Sequence, residues 1–299
     1  MDIELLSQNF CDYSTSIKGY SKNTIRRYRT MTSSFCRLAG ITEISEITDD
    51  KVRAVFYKGR LERKWSVNTY IAYRKSLLVF FRWCVKQGYM EKNPIIDIEV
   101  PKMEKRLPTK LTKQDSLKLL ELVYNYPYDY KFLRYRNHAI FSTFIFAGLR
   151  KQELLSLKFT DVDTDNLTIF VQQGKGGKDR IIPMSFTLAQ SLKRYKDERK
   201  RLNKVNPEFF CSLRGNVGFT INGLQKLVEQ MRVSFKVPFT IHKLRHTFAT
   251  LMLEGGCDIY SLSKMMGHSD IKTTTIYLYA SAEHLRSQIT KHPMNDLLR

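Results

Sequence analysis

At 299 residues the chain is long enough for one large domain or two ordinary ones, each able to bury its own core. Its 50 Lys and Arg against 29 Asp and Glu give a net charge of +21, well beyond what solubility requires, and imply a polyanionic partner. No apolar run is long enough to span a bilayer, the acidic start MDIELLSQNF lacks the features of a signal peptide, and the five scattered cysteines (Cys11, Cys36, Cys84, Cys211, Cys257) form no Cys-x-x-Cys pair, so the expectation is a cytoplasmic protein with reduced thiols, without a membrane partner, a disulfide framework or a zinc site.

The first hundred residues read as helices separated by polar turns: Ile3 to Ser16, Lys22 to Leu38, Asp49 to Glu62 and Ser66 to Gln87. In the fourth, Tyr70, Ile71, Leu77, Leu78, Phe81, Cys84 and Val85 make an apolar face, while Lys75, Arg82 and Lys86 line another. That basic stripe suits a DNA backbone, and a solvated helix face explains it equally well. Residues 93 to 110 carry Pro94, Pro101 and Pro108 among the charges of KMEKR, which neither helix nor sheet tolerates, so a linker is expected at 104–110 between domains at 1–103 and 111–299. The excess of positive charge lies on both sides of it, with 21 basic and 12 acidic residues up to Lys110 and 29 and 17 after it. Such a chain can press positive surface on nucleic acid from two sides.

After the linker, Thr112-Lys113-Gln114-Asp115 has the form of a capping box opening a helix. Helices are predicted near Lys113 to Tyr124, Tyr135 to Phe146 and Lys151 to Phe159. Strand signals follow in LTIFVQQ and DRIIPM, joined by the turn Gly174-Lys175-Gly176-Gly177-Lys178, which reads as a β-hairpin. Further helices are predicted near Leu188 to Leu202, Asn222 to Phe235, His242 to Leu253, Ile259 to Met266 and Ala282 to Thr290. The fold class is mainly α with a small β-sheet (α+β).

Three clusters carry chemistry. In Ala147-Gly148-Leu149-Arg150-Lys151-Gln152-Glu153-Leu154 an arginine emerges where two buried helices meet, and it needs either a structural carboxylate such as Glu153 or an anionic substrate. Thr240-Ile241-His242-Lys243-Leu244-Arg245-His246 puts His242 and Arg245 on one helical face at i and i+3. Met266-Gly267-His268 runs on through Lys272-Thr273-Thr274-Thr275-Ile276 to Tyr277, supplying a histidine and a tyrosine after a threonine-rich turn.

The order, spacing and wording of these clusters resemble the tyrosine recombinase (phage integrase) family, with its Gly-Leu-Arg-x-x-Glu-Leu box, its His-x-x-Arg, and its Gly-His followed by tyrosine. The resemblance extends to the amino-terminal bundle, where Ser21, Asn23, Thr24, Tyr28, Phe80, Phe81, Trp83 and Asn93-Pro94 are similar to the core-binding, SAM-like domain of Xer-like members. It implies a DNA-binding domain at 1–103, a catalytic domain at 111–299, and the catalytic set Arg150, Lys175, His242, Arg245, His268 and Tyr277. Double-stranded recombination sites are the implied partner, acted on by a homotetramer through a Holliday junction, with a second recombinase or an accessory protein left open.

The chemistry explains why these types are needed together. Attack of a phenol oxygen on a phosphodiester builds charge on the non-bridging oxygens, which Arg150 and Arg245 can hold through forked hydrogen bonds. With an ordinary pKa near 10 the tyrosine needs a base, expected to be His242, and the departing 5′-oxygen needs an acid, expected to be Lys175 with Lys178 as its competitor. His268 would help to hold the phosphate. Because a phosphodiester becomes a phosphotyrosine, no ATP, nucleotide cofactor or metal is called for.

The histidines His242, His246 and His268 lack the glutamate of a His-Glu-x-x-His zinc site, and Asp161 to Asn166 lacks the glycine and glutamate of a calcium loop and reads as a turn from helix to strand. Two other functions fit part of the pattern: DNA relaxation by a type IB topoisomerase, and DNA binding without catalysis.

Overall fold

The computed structural model describes residues 1–103, 109–172, 179–268 and 270–280, the side chains of 279 and 280 excepted. The chain divides into two compact units, Met1–Lys105 and Arg106–Arg299. Most of the expected linker, 104–110, lies outside the described residues.

The first unit is a helical bundle of α1 (Ile3–Ser16), α2 (Lys22–Ala39), α3 (Asp49–Leu61) and α4 (Val67–Lys86). Polar side chains start each helix, with Asp2, Ser21, Thr48 and Ser66 accepting a backbone N–H three residues on. Phe10, Phe35, Phe56, Leu77, Phe80, Phe81 and Cys84 fill the centre. Along α4, Lys75, Arg82 and Lys86 are exposed, opposite this core, as the apolar periodicity predicts.

In the second unit α5 (Lys113–Asn125) opens at Thr112, whose hydroxyl accepts the Asp115 N–H at 2.9 Å and donates to its carboxylate at 2.8 Å. The central helix α6 (Lys131–Ala147) starts a turn earlier than its apolar pattern suggests, and it packs against α5, α8 (Phe186–Arg201) and α10 (Ile241–Glu254). Between α7 (Lys151–Ser156) and α8 lies an antiparallel sheet of β1 (Val162–Asp163), β2 (Thr168–Val171) and β3 (Arg180–Pro183), ordered β1-β2-β3 with Ile169 opposite Ile182. The aspartate-rich segment makes the β1-β2 turn, where Asp163 accepts the backbone N–H groups of Asp165 and Asn166. The glycine-rich turn joining β2 to β3 lies outside the described residues.

The chain then continues through α9 (Ile221–Ser234), α10, α11 (Ile259–Met266) and α12 (Lys272–Ala280). The threonine-rich segment is thus helix rather than turn, and the helix predicted at 282–290 lies outside the described residues. Cys11, Cys36, Cys84 and Cys211 are buried free thiols, and burial pushes Cys36 and Cys84 up to about 12. Among the described residues no helix is long and apolar enough to cross a membrane.

Two glycines end helices where a side chain could not fit. Gly148 closes α6 at φ +60°, and Gly267 closes α11 at φ +63°. A Cβ at 148 would collide with the Phe248 ring, and one at 267 would stand 2.8 Å from Arg180 Nη1. Gly148→Ala combines a left-handed penalty with overpacking and is expected to cost about 3 kcal/mol. Urea denaturation of the variant checks this, and a loss below about 1 kcal/mol would show that the Phe248 ring yields freely.

Candidate active site

Glu153, in the first turn of α7, is the centre of the site, with a side chain only 6% exposed. Its carboxylate accepts the Arg150 backbone N–H at 2.8 Å and Arg150 Nη1 at 2.6 Å. Arg180, at the start of β3, donates to both of its oxygens at 3.0 and 2.8 Å, and Arg245 Nη1 lies 4.0 Å away. Burial alone would raise this carboxyl, but the hydrogen bonds from Arg180 and Arg150 and their charges outweigh it and hold the group at about 2.

The same arginines also take backbone carbonyls at helix ends. Arg245 donates to Gly148 O and, at 2.6 Å, to Met266 O, while Arg180 Nε reaches Met265 O at 2.8 Å and Arg150 Nη2 reaches Gly267 O at 2.8 Å. The carbonyl end of a helix carries partial negative charge, so the C-termini of α6 and α11 complement this cationic cluster. Burial and the neighbouring Arg150 push Arg245 down to about 10, which leaves it charged at neutral pH.

His268 accepts from Arg245 Nη2 at 3.2 Å through Nε2, and its Nδ1 contacts the buried Thr274 hydroxyl at 2.7 Å. This pairing makes Nδ1 the protonated ring nitrogen. Burial, then the charges of Arg245, Arg150 and Arg180, lower the imidazole to about 4, so it is neutral in the resting protein.

Tyr277 of α12 is 2% exposed and packs with Phe248, Leu262 and Met266. Its hydroxyl meets His246 Nδ1 at 2.8 Å. Burial raises the phenol above its ordinary value, while Arg245 and Arg150 oppose the rise. Burial, His242 and Arg245 lower His246.

The structure therefore brings together Arg150, Arg245, His268 and Tyr277 from three separated stretches of sequence. His242 is exposed at the start of α10, in a cleft it shares with Lys151, Lys226 and Arg232. Lys175 lies outside the described residues, and Lys75, Arg82 and Lys86 belong to the other unit. Sequence reasoning missed Arg180, for which spacing gives no signal, and it weighed His246 only as a metal ligand. The signal for His246 was its place one turn beyond His242, on the side of α10 that α12 covers. Among the described residues no group of three His, Cys, Asp or Glu side chains could hold a metal ion.

Comparison with known proteins matches residues 110–284 to the phage integrase family and residues 6–91 to the phage integrase N-terminal SAM-like domain. Tyrosine recombinase XerC of Oceanobacillus iheyensis is 31% identical over 303 residues, covering 97% of each chain. Tyrosine recombinase XerD of Staphylococcus haemolyticus is 31% identical over 301 residues, covering 97% of this chain and 99% of its own. Among solved structures, XerH site-specific recombinase bound to difH substrate in a pre-cleavage complex superposes with a TM-score of 0.69 at 25% identity, over 96% of this chain and 84% of that one.

Removing the shared carboxylate should expose its role. Glu153→Gln leaves buried guanidinium groups around a neutral amide and is expected to cost about 3 to 5 kcal/mol at neutral pH. A folded-state value of about 2, below the ordinary 4.5, means this contribution is complete above pH 4.5 and lost as the pH falls toward 2. The stability gap between wild type and variant should close over that window in denaturation measurements, and a gap independent of pH would refute the assignment.

Proposed function

The chain belongs to the phage integrase family, the tyrosine recombinases, and from that premise we propose how its residues divide the work of breaking and rejoining DNA. The protein is a site-specific recombinase. The alternatives of DNA relaxation by a topoisomerase and of silent DNA binding are not favoured, because its relatives along nearly the whole chain are recombinases.

One observation carries the division of roles: a buried phenol, Tyr277, is influenced directly by Arg245 and Arg150, which crowd with Arg180 around a single carboxylate. Three positive charges against one negative leave a net charge of +2, a place for a phosphodiester. Tyr277 is the nucleophile, and its oxygen takes the 3′-phosphate as the 5′-oxygen leaves. Arg150, 24% exposed and anchored by Glu153, and Arg245, anchored by helix carbonyls, hold the non-bridging oxygens. Because both are fixed before substrate arrives, little reorganisation is left for the transition state. His268 acts through Arg245, whose guanidinium it orients. Lys175 is the general acid for the 5′-oxygen, and His242, exposed at the start of α10, is the base that accepts the tyrosine's proton.

Lys75, Arg82 and Lys86 on α4 contact the DNA backbone, supported by their exposure and charge. The substrate is a double-stranded recombination site, bound in the cytoplasm by four copies of the chain that exchange strands in pairs. A second recombinase or an accessory protein remains compatible with this assembly. No cofactor or metal takes part, because the phosphotyrosine conserves the energy of the broken bond.

Tyr277→Phe is expected to shift a cognate site at near wild-type concentration while forming no denaturant-resistant adduct on a nicked suicide substrate. Excess chelator should leave the wild-type adduct intact, with a 3′-phosphonucleotide on the Tyr277 peptide by mass spectrometry. An adduct on Tyr279 would overturn the assignment. Arg150→Ala should slow adduct formation about 10²- to 10³-fold. For Lys175→Ala, a sulfur in place of the 5′-bridging oxygen should restore cleavage, since a thiolate leaves without a proton; rescue confined to Lys178→Ala would move the role to that residue.

A further inference from the structure

On the reading that DNA is the substrate, we propose that the pocket around Arg136 and Asn137 is a further phosphate site, holding a backbone phosphate of the duplex away from the bond that is cut.

Arg136, on α6, is 7% exposed, and nothing negative matches its burial. Its Nε and Nη2 donate to Asn137 Oδ1 at 3.1 and 3.0 Å, and its Nη1 donates to the Cys211 carbonyl at 3.2 Å. Both acceptors are neutral. A guanidinium has five N–H donors, so one on each terminal nitrogen is left without an acceptor among the described residues. Arg199 shows what a purely structural arginine looks like, since it is as deeply buried but donates to the carbonyls of Lys204, Asn206, Glu208 and Phe209. The Phe219 ring lies over the Arg136 guanidinium at 4.2 Å and offsets part of its charge. Burial pushes Arg136 down to about 10, which still leaves it charged at neutral pH, and the groups that act on it, Tyr195, Cys211 and Tyr128, include no carboxylate.

The pocket that Arg136 lines has a volume of about 500 Å³ and lies between α6, the segment joining α5 to α6, and α9. Asn137 hydrogen-bonds the Tyr128 hydroxyl, so neutral polar groups stand beside the cation. Lys226, exposed on α9, adds a second positive charge, and the first turn of α9 reaches the pocket at Gly223 with the partial positive charge of a helix N-terminus. Asp129, on the rim, is exposed. A fixed guanidinium, a mobile ammonium and neutral donors together suit a phosphodiester.

Lys226 also ties this pocket to the reaction. It lines the cleft of His242 and Lys151 as well, so the two recesses flank α9 and share a cation. A duplex carries one negative charge per about 1.7 Å of its axis, and with one phosphate on Arg150 and Arg245 others cross the neighbouring surface. An acidic side chain of a partner protein would have no such tie. A contact of this kind reads no sequence; it fixes the register of the catalytic unit on the duplex, and with it which phosphate meets Tyr277.

Asn137→Asp separates this role from a structural one. The new carboxylate stands where Asn137 already meets Arg136, so it supplies the missing anion from within and takes the place of the phosphate. The melting temperature is expected to hold or rise. On a labelled duplex selected from random sequence by the wild-type protein, the variant should bind about 10-fold or more weakly at low salt. The slope of its log affinity against log salt should shrink by about 0.9, the loss of one phosphate contact. Lys226→Gln, at an exposed position where folding is not at stake, should weaken binding and shrink the slope in the same direction. A single neutral methylphosphonate linkage away from the cleaved bond should weaken wild type and leave Asn137→Asp unaffected. Wild-type affinity and slope in Asn137→Asp would sink the inference, and so would a lower melting temperature, which would show the guanidinium to be compensated already. Loss of synapsis at unchanged single-site binding would give the pocket to a protein carboxylate instead. Wild type that binds no duplex defeats the DNA reading and the site with it, whereas wild type that binds beside an unaltered variant defeats the phosphate site alone.

Discussion

The active site depends on one buried carboxylate holding three guanidinium groups. Without Glu153, Arg150, Arg180 and Arg245 would repel one another in a place too poorly hydrated to screen them. With it, two donate directly and the third lies at 4.0 Å, and the arrangement is set before any DNA arrives. A pair of opposite charges would be complete and indifferent to substrate. Three cations on one anion stay short of negative charge, so the same contacts that secure the fold leave a defined demand for a phosphodiester.

That carboxylate would be useless without backbone to meet the remaining donors. Gly148 and Gly267 let α6 and α11 end in left-handed turns, and the carbonyls of Gly148, Met265, Met266 and Gly267 then point into the cluster. Stability and chemistry are coupled through these turns. Gly267 lies against Arg180, Gly148 against Phe248, and Phe248 shares a small core with Tyr277. A change that loosens one helix end therefore moves both an arginine anchor and the nucleophile.

What the sequence revealed follows the range of each interaction. Arg150 and Glu153 are three residues apart, so their pairing was a local matter, and the glycine before them marked the helix end. The heptad-like face of α4 likewise sorted Lys75, Arg82 and Lys86 from the core by periodicity alone. Arg180 was invisible because its partner is 27 positions away, on a different element, and a strand-opening arginine has no pattern of its own. The segment from Lys272 was read as a turn because three threonines in a row have weak helix propensity, and packing of α12 on α10 and α11 overrides it. The choice between His242 and His246 could not be made from spacing. Both lie on one side of α10, and only the position of α12 determines which of them meets Tyr277.

The burial of Tyr277 bears on why a proton acceptor is needed at all. In the resting protein Arg245 and Arg150 favour the phenolate, while desolvation disfavours it more strongly, and the net effect is a phenol harder to ionise than one in water. DNA binding sharpens the problem, because a phosphate placed on the arginines neutralises the very charges that help the phenolate. A standing phenolate is therefore least available at the moment when it would be used. The hydroxyl must attack while still protonated and release its proton to a neutral acceptor as the new bond forms. The packing of α12 on α10 that hides the nucleophile also holds the hydrogen bond between its hydroxyl and His246, so the resting protein keeps the phenol both secluded and protonated.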